Sequence, residues 1–200
     1  MDGFEKRRND KKEIIIQTAI ELFNKYGFEK VTMTEIAEKA RVSKVSIYNF
    51  FESKDNLRRI IIKYIIDKSL EETKMLVKKE CNFVDKMGEY LENRIIYGSQ
   101  HNMEFFFDAV ESDPVLRQYF DDFNIENKRL ISGLIKEGKK TGYFSADISD
   151  NAIEIYIDIF YSYFMNNRKI RITFEQNSKL AEEINLLFLD GLIRNRNPVI

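Results

Sequence analysis

No proline interrupts this chain before Pro114, and the next stands at Pro198. Proline removes a helical N–H and clashes with the preceding turn, so stretches without it leave long helices free to form. Only eight glycines join the two prolines in 200 residues. Ile, Leu, Lys and Glu recur at helical spacing, which predicts an all-α protein. With 44% hydrophobic and 32% charged residues, the chain has enough apolar side chains for one or two packed cores.

Several function classes drop out early. The opening MDGFEKRRNDKKE lacks the apolar stretch and small-residue cleavage site of a secretory signal. No apolar run reaches the ~18 residues of a membrane span, and IIIKYII is broken by Lys63. The expected location is the cytoplasm, with no membrane partner. Cys81 is the sole cysteine and His101 the sole histidine, so neither an internal disulfide nor a clustered zinc site is expected. Cys81 reads as a packed or idle thiol and His101 as a surface or capping residue. A glycine-rich phosphate loop and a nucleophile elbow are both missing, so neither catalysis nor a cofactor is expected.

Charge is nearly balanced overall, at −1, but unevenly placed. Residues 1–54 hold 11 basic and 9 acidic side chains, a net +2; residues 55–200 hold 21 and 24, a net −3. Lys6, Arg7, Arg8, Lys11 and Lys12 crowd one short arm, a phosphate-binding arm or a solvated tail.

Local signals divide the N-terminal part into helices. Asp10 with Glu13 resembles a capping pair that opens a first helix, with Ile15, Ile16, Ala19, Ile20, Leu22, Phe23 and Tyr26 as its apolar stripe and Gly27 as its stop. Thr32-Met33-Thr34-Glu35 is a capping box, so a second helix starts at Met33 and buries Met33, Ile36, Ala37 and Ala40. Ser43 caps a third, short helix over 44–50. Ser53, with Asp55 in the first turn, starts a fourth that runs to about Lys79. Further helices are predicted over 83–99, 103–111, 115–140, 150–166 and 178–194. KIRITF, 169–174, alternates like a strand but has no strand to pair with, so it reads as a connection or helix extension.

The third helix sorts its side chains. Ile47, Phe50 and Phe51 share an apolar face, while Lys44, Val45, Ser46, Tyr48 and Asn49 lie opposite. Short polar side chains, one small apolar residue and a lysine suit the major groove: Asn pairs with adenine, Ser reaches base edges or phosphate, and Val meets a thymine methyl. The turn Ala40-Arg41-Val42-Ser43 joins this helix to the second as a helix-turn-helix. Spacing alone leaves open an ordinary pair of packed helices.

The run Gly27-Phe28-x-x-Val31-Thr32-Met33-Thr34-x-Ile36-Ala37-x-x-Ala40-x-Val42-Ser43-x-x-x-Ile47-Tyr48-x-Phe50-Phe51-x-Ser53-Lys54-Asp55-x-Leu57 resembles the N-terminal signature of the TetR (tetracycline repressor) family. The resemblance covers about the first quarter of the chain. It implies a homodimeric bacterial transcription factor, usually a repressor, with residues 1–54 binding a palindromic double-stranded DNA operator and residues 55–200 dimerising and binding a small-molecule inducer. By the same resemblance Thr32, Tyr48 and Lys54 fall on phosphate contacts, and Ser43, Lys44, Val45, Ser46 and Asn49 face bases or the neighbouring backbone. Thr34 and Arg41 complete the expected DNA-binding set. The family usually has glycine where this chain has Arg41.

In the larger domain, Tyr97, Phe105, Tyr119, Phe123, Tyr156 and Phe160 read either as core or as the lining of a ligand pocket. Glu104, Asp108 and Glu111 share a helix face that is either solvated or turned inward; an aromatic-lined cavity suits an apolar inducer, and inward carboxylates among aromatics suit a cationic amphipathic one. Ile157, Tyr161 and Phe164 on one helix, with Leu180, Ile184, Leu187 and Phe188 on the last, form apolar faces that either build a four-helix dimer interface or close the monomer core. The competing class is a helical adaptor that binds protein rather than DNA; only a DNA reader loses affinity steeply with salt.

Overall fold

The computed structural model describes residues 3–100 and 103–192. The expectations for His101 and for the side chains of Tyr97, Glu104, Tyr161 and Phe164 fall outside the described residues. Among the described residues there are ten helices and no strand: α1 (Gly3–Tyr26), α2 (Met33–Lys39), α3 (Lys44–Phe51), α4 (Lys54–Lys78), α5 (Phe83–Gln100), α6 (Met103–Ser112), α7 (Pro114–Lys140), α8 (Asp150–Asn166), α9 (Arg168–Gln176) and α10 (Ser178–Leu192).

Two boundaries differ from expectation. The first helix opens at Gly3 rather than at Asp10, because residues 4–13 contain no breaker and are rich in Lys, Arg and Glu, which are good helix formers. The segment 169–174 lies in a separate helix, α9, rather than a connection or an extension. Asn167 caps it by accepting from the Ile170 N–H at 3.2 Å, and Phe174, one turn beyond Ile170, is buried.

The chain packs as two units, one of residues 1–66 with 101–120 and one of 67–100 with 121–200. The division differs from the one drawn after Lys54, since α4 and α7 each contribute to both units. In the first unit, α1, α2 and α3 close around Ile15, Phe23, Ile36, Ile47 and Phe51, each nearly or wholly excluded from solvent. Leu57 and Ile61 of α4 add to the buried set. Tyr26, expected in the α1 stripe, is instead exposed with Lys25 over its ring.

The core of the second unit gathers Met87 and Leu91 of α5, Leu134 and Ile135 of α7, Ile153 and Ile157 of α8, and Phe188 of α10. A buried lysine, Lys86, donates to the Val77 carbonyl at 3.3 Å and to Glu137 at 3.2 Å. A charge taken out of water needs such partners.

Candidate nucleic-acid interface

The helix-turn-helix of α2 and α3 is fixed at the ends of both helices. At the start of α2, the Glu35 carboxylate accepts from the Thr32 N–H at 2.7 Å and from the Thr32 hydroxyl at 2.8 Å, and the Glu35 N–H donates back to that hydroxyl at 3.2 Å. The amide and hydroxyl of Thr32 hold the Glu35 carboxyl below its ordinary range. The one hydroxyl proton of Thr32 is therefore already directed at a carboxylate; Thr34, two residues on, is half-buried.

The other end of α2 explains the arginine in the turn. The Arg41 N–H donates to the Glu38 carbonyl at 3.1 Å and the Val42 N–H to the Ala37 carbonyl at 2.9 Å. That pair of bonds is a Schellman motif, whose residue after the cap takes a left-handed conformation that glycine adopts most cheaply. Arg41 takes it at φ 55°.

Ser43 then caps α3, accepting from the Ser46 N–H at 3.1 Å, with the two hydroxyl oxygens 2.8 Å apart. Ile47 and Phe51 are fully buried, which seats the helix on its neighbours. Lys44, Val45, Tyr48 and Asn49 remain exposed on the opposite side, with Ser46 half-buried beside them. Phe50, expected on the buried face, is only half-buried, and the Arg8 guanidinium lies over its ring at 5.8 Å. At the far end of α3, Glu52 sits at φ 60° and ψ −49°, and the Ser53 N–H bonds the Phe51 carbonyl across it. That is a γ-turn of the rarer, strained hand. The two non-glycine residues with positive φ among the described residues thus bracket the helix that presents Lys44 to Asn49.

Phe28 fastens the first unit together, a role the sequence reading did not assign. Its ring meets the edge of Phe23 at 5.2 Å and stacks on Phe105 of α6 at 5.7 Å. Lys54 and Arg58 of α4 lie over it at 4.2 Å and 4.8 Å. The Lys54 ammonium also donates to the Glu29 carbonyl at 3.4 Å. Close by in the same unit, Arg59 of α4 pairs with Asp113, which is 4% exposed. Burial pushes the Asp113 carboxyl up, but Arg59 and the N–H groups of Val115 and Leu116 outweigh it and leave it below the ordinary range.

A groove of about 1060 Å³ opens beside α3. Arg7, Arg8 and Lys11 of α1 line one side, Lys39 and Arg41 another, and Ser46, Asn49 and Phe50 of α3 are among its walls.

The candidate ligand residues are divided between the two units. Phe105 and Tyr119 are packed in the first unit, where Phe105 meets Phe23 and Phe28, and Lys63 lies over Tyr119 at 4.7 Å. Asp108 is exposed, as is Glu111, and Phe123 is half-buried. Tyr156 stacks on Phe188 with ring centroids 4.9 Å apart, and Phe160 lies tilted against it at 4.0 Å. A smaller cavity, about 240 Å³, lies elsewhere in the second unit, among Tyr90, Asn124, Asn127, Lys128, Glu154 and Asp158.

Two of the residues expected at a dimer surface, Ile157 and Phe188, belong instead to the monomer core, at 1% and 3% exposure. Leu180 and Ile184 are half-buried and Leu187 is exposed. The apolar residues that α8 turns outward are Ile155, Ile159 and Tyr163, and α10 adds Leu186 and Leu187. Among the described residues no helix is long and apolar enough to cross a membrane, and no three of the His, Cys, Asp and Glu side chains are placed to hold a metal.

Residues 15–59 match the model of a family described as bacterial regulatory proteins, tetR family. An uncharacterized HTH-type transcriptional regulator of Bacillus subtilis (strain 168), YerO, is 28% identical over 207 residues, spanning 96% of this chain and 69% of its own length. Among solved structures, the reduced form of E. coli NemR has a TM-score of 0.68 at 18% identity, covering 95% of this chain and all of its own. FadR from Bacillus subtilis, solved with stearoyl-CoA, has a TM-score of 0.66 at 16% identity, covering 93% of this chain and all of its own. These two structural likenesses speak to the fold alone.

Proposed function

Given that the chain belongs to the tetR family of bacterial regulatory proteins and is a DNA-binding transcriptional regulator, we propose that it is a cytoplasmic repressor that occupies a palindromic operator as a homodimer and leaves it when a small molecule binds. The observation that carries this reading is the sorting of α3: Ile47 and Phe51 fully buried, Lys44, Val45, Tyr48 and Asn49 exposed. Side chains of that kind on a short, end-fixed helix fit the major groove. Two such helices in a dimer would meet half-sites about 34 Å apart or more.

The outward apolar residues of α8 and α10 supply a surface for the second copy. The cavity in the second unit is the place proposed for the ligand. Lys128 pairs with Glu154 at 3.1 Å, which leaves Asp158 beside the amides Asn124 and Asn127; that lining favours a small polar molecule with a positive charge over a purely apolar one. Ligand and DNA would be coupled by a shift between dimer states, for which a few kcal/mol suffices.

Selection of bound sites from random duplex DNA tests the core of the proposal. A palindrome is expected, bound more weakly as salt rises; failure to enrich any sequence overturns it. On the selected site, Asn49→Ala is expected to relax preference at one base position, about 1–3 kcal/mol, while Tyr48→Ala weakens all sequences alike. A uniform loss from Asn49→Ala removes its base-reading role. Thermal-shift titration with small cations, cationic amphiphiles and an acyl-CoA tests the ligand; stabilisation by the anionic ligand alone overturns the cationic class.

A further inference from the structure

The basic groove beside α3 is not explained by the reading helix. Its wall holds five cations, Arg7, Arg8, Lys11, Lys39 and Arg41, against one carboxylate, Asp10. Lys39 is paired with Glu21 at 2.9 Å and Arg8 lies over Phe50. For Arg7, Lys11 and Arg41 no carboxylate partner appears among the described residues. Like charges gathered around one cleft repel each other unless an anion enters, so the cleft concentrates negative charge.

Two features build the groove. The first is the extra helix ahead of the packed part of α1: the helix starts at Gly3 while its buried stripe starts at Ile15. Those turns carry Arg7, Arg8 and Lys11 to the groove. The second is Arg41, which holds a left-handed backbone at a place where glycine costs less. A side chain retained against backbone strain at such a place points to use.

The occupant is set by what shares the cleft. Ser46 and Asn49 line it from α3, so an anion in the groove lies next to whatever those two residues meet. Resting on the reading of α3 as a DNA reader, we infer that the groove takes the sugar-phosphate strand adjoining the base pairs at Ser46 and Asn49, with Arg7, Lys11 and Arg41 as its phosphate ligands. The groove adds affinity and register without reading sequence, since phosphate contacts carry no base information.

The test uses full-length protein and the duplex selected from random DNA, with affinity measured across a potassium chloride series. Each phosphate contact removed should lower the slope of log K against log salt by about 0.9. Arg7→Ala with Lys11→Ala removes up to two contacts per protomer, and Arg41→Gly up to one. Both variants are expected to flatten the slope while the ranking of single-base-substituted sites stays as in the unaltered protein. Lys136→Ala, an exposed lysine of the second unit, is the control and should leave the slope alone. Unfolding midpoints at or above that of the unaltered protein confirm that the variants are folded.

Specific binding by the unaltered protein with unchanged slopes in both variants overturns the groove and leaves the DNA reader standing. A changed site ranking shows base reading by these residues and also overturns it. Failure of the unaltered protein to select any site overturns both.

Discussion

An arginine held at φ 55° gives up about 1–2 kcal/mol relative to a residue free of that steric conflict, while glycine at the same place loses roughly 0.5–1 kcal/mol more backbone freedom on folding than other residues. The difference predicts that Arg41→Gly raises stability by about 0.5–1 kcal/mol, read from urea unfolding, even as it weakens DNA binding. An unchanged or lowered stability would show that the turn is not strained. Gly138 is the opposite case. A methyl group built there lies 2.6 Å from both Phe144 and Phe83, rings fixed in the core of the second unit. Gly138→Ala is expected to lower stability by about 1–3 kcal/mol, the usual penalty for overpacking. At this scale the capping residues Thr32 and Ser43 were legible because a cap is decided within four residues. The roles of Phe28 and Gly138 were not, because their partners lie far along the chain.

The existence of nine of the ten described helices, and most of their limits, could be read from periodicity and caps, down to the start of α2 at Met33 and of α5 at Phe83. Two of the failures have a common cause: a signal true of one residue was not decisive for the element. Asp10 and Glu13 have the chemistry of a cap but sit in an uninterrupted run of helix formers. The alternation of KIRITF is also compatible with a helix whose Ile170 and Phe174 share a face. Choosing the outward face of α8 failed for another reason: Ile153 and Ile157 form one apolar stripe and Ile155 and Ile159 another on nearly the opposite side, so period alone cannot say which stripe meets the core. Burial does. Ile159 is 66% exposed and Ile157 is 1% exposed. Ile159→Arg is accordingly expected to yield a folded monomer in light scattering, with the unfolding midpoint of the subunit little altered at low concentration. Ile157→Ala is expected to cost stability instead, about 2–5 kcal/mol. A dimer surviving Ile159→Arg would move the interface off this face.

On the scale of the whole molecule, the pair Arg59 and Asp113 ties α4 to the loop between α6 and α7 within the first unit. With its carboxyl held below the unfolded value, Asp113 stabilises the fold above the ordinary carboxylate range near ~4. That contribution fades as the pH falls through the folded pKa. Asp113→Asn is expected to lose about 1–2 kcal/mol at neutral pH, with the gap to the unaltered protein narrowing in acid; a gap independent of pH would remove the carboxylate from the account. None of this pairing was legible from sequence, since 54 residues separate its members. Distance in sequence likewise hides a practical fact about Phe105. It belongs to α6, yet its ring lies against Phe23 and Phe28. A hybrid regulator made by splicing residues 1–66 onto a foreign sensor would carry a bare aromatic scar where that ring had been, prone to sticking and slow to fold. A transplant that works needs a second graft, residues 101–120, so the first unit travels as two pieces of chain.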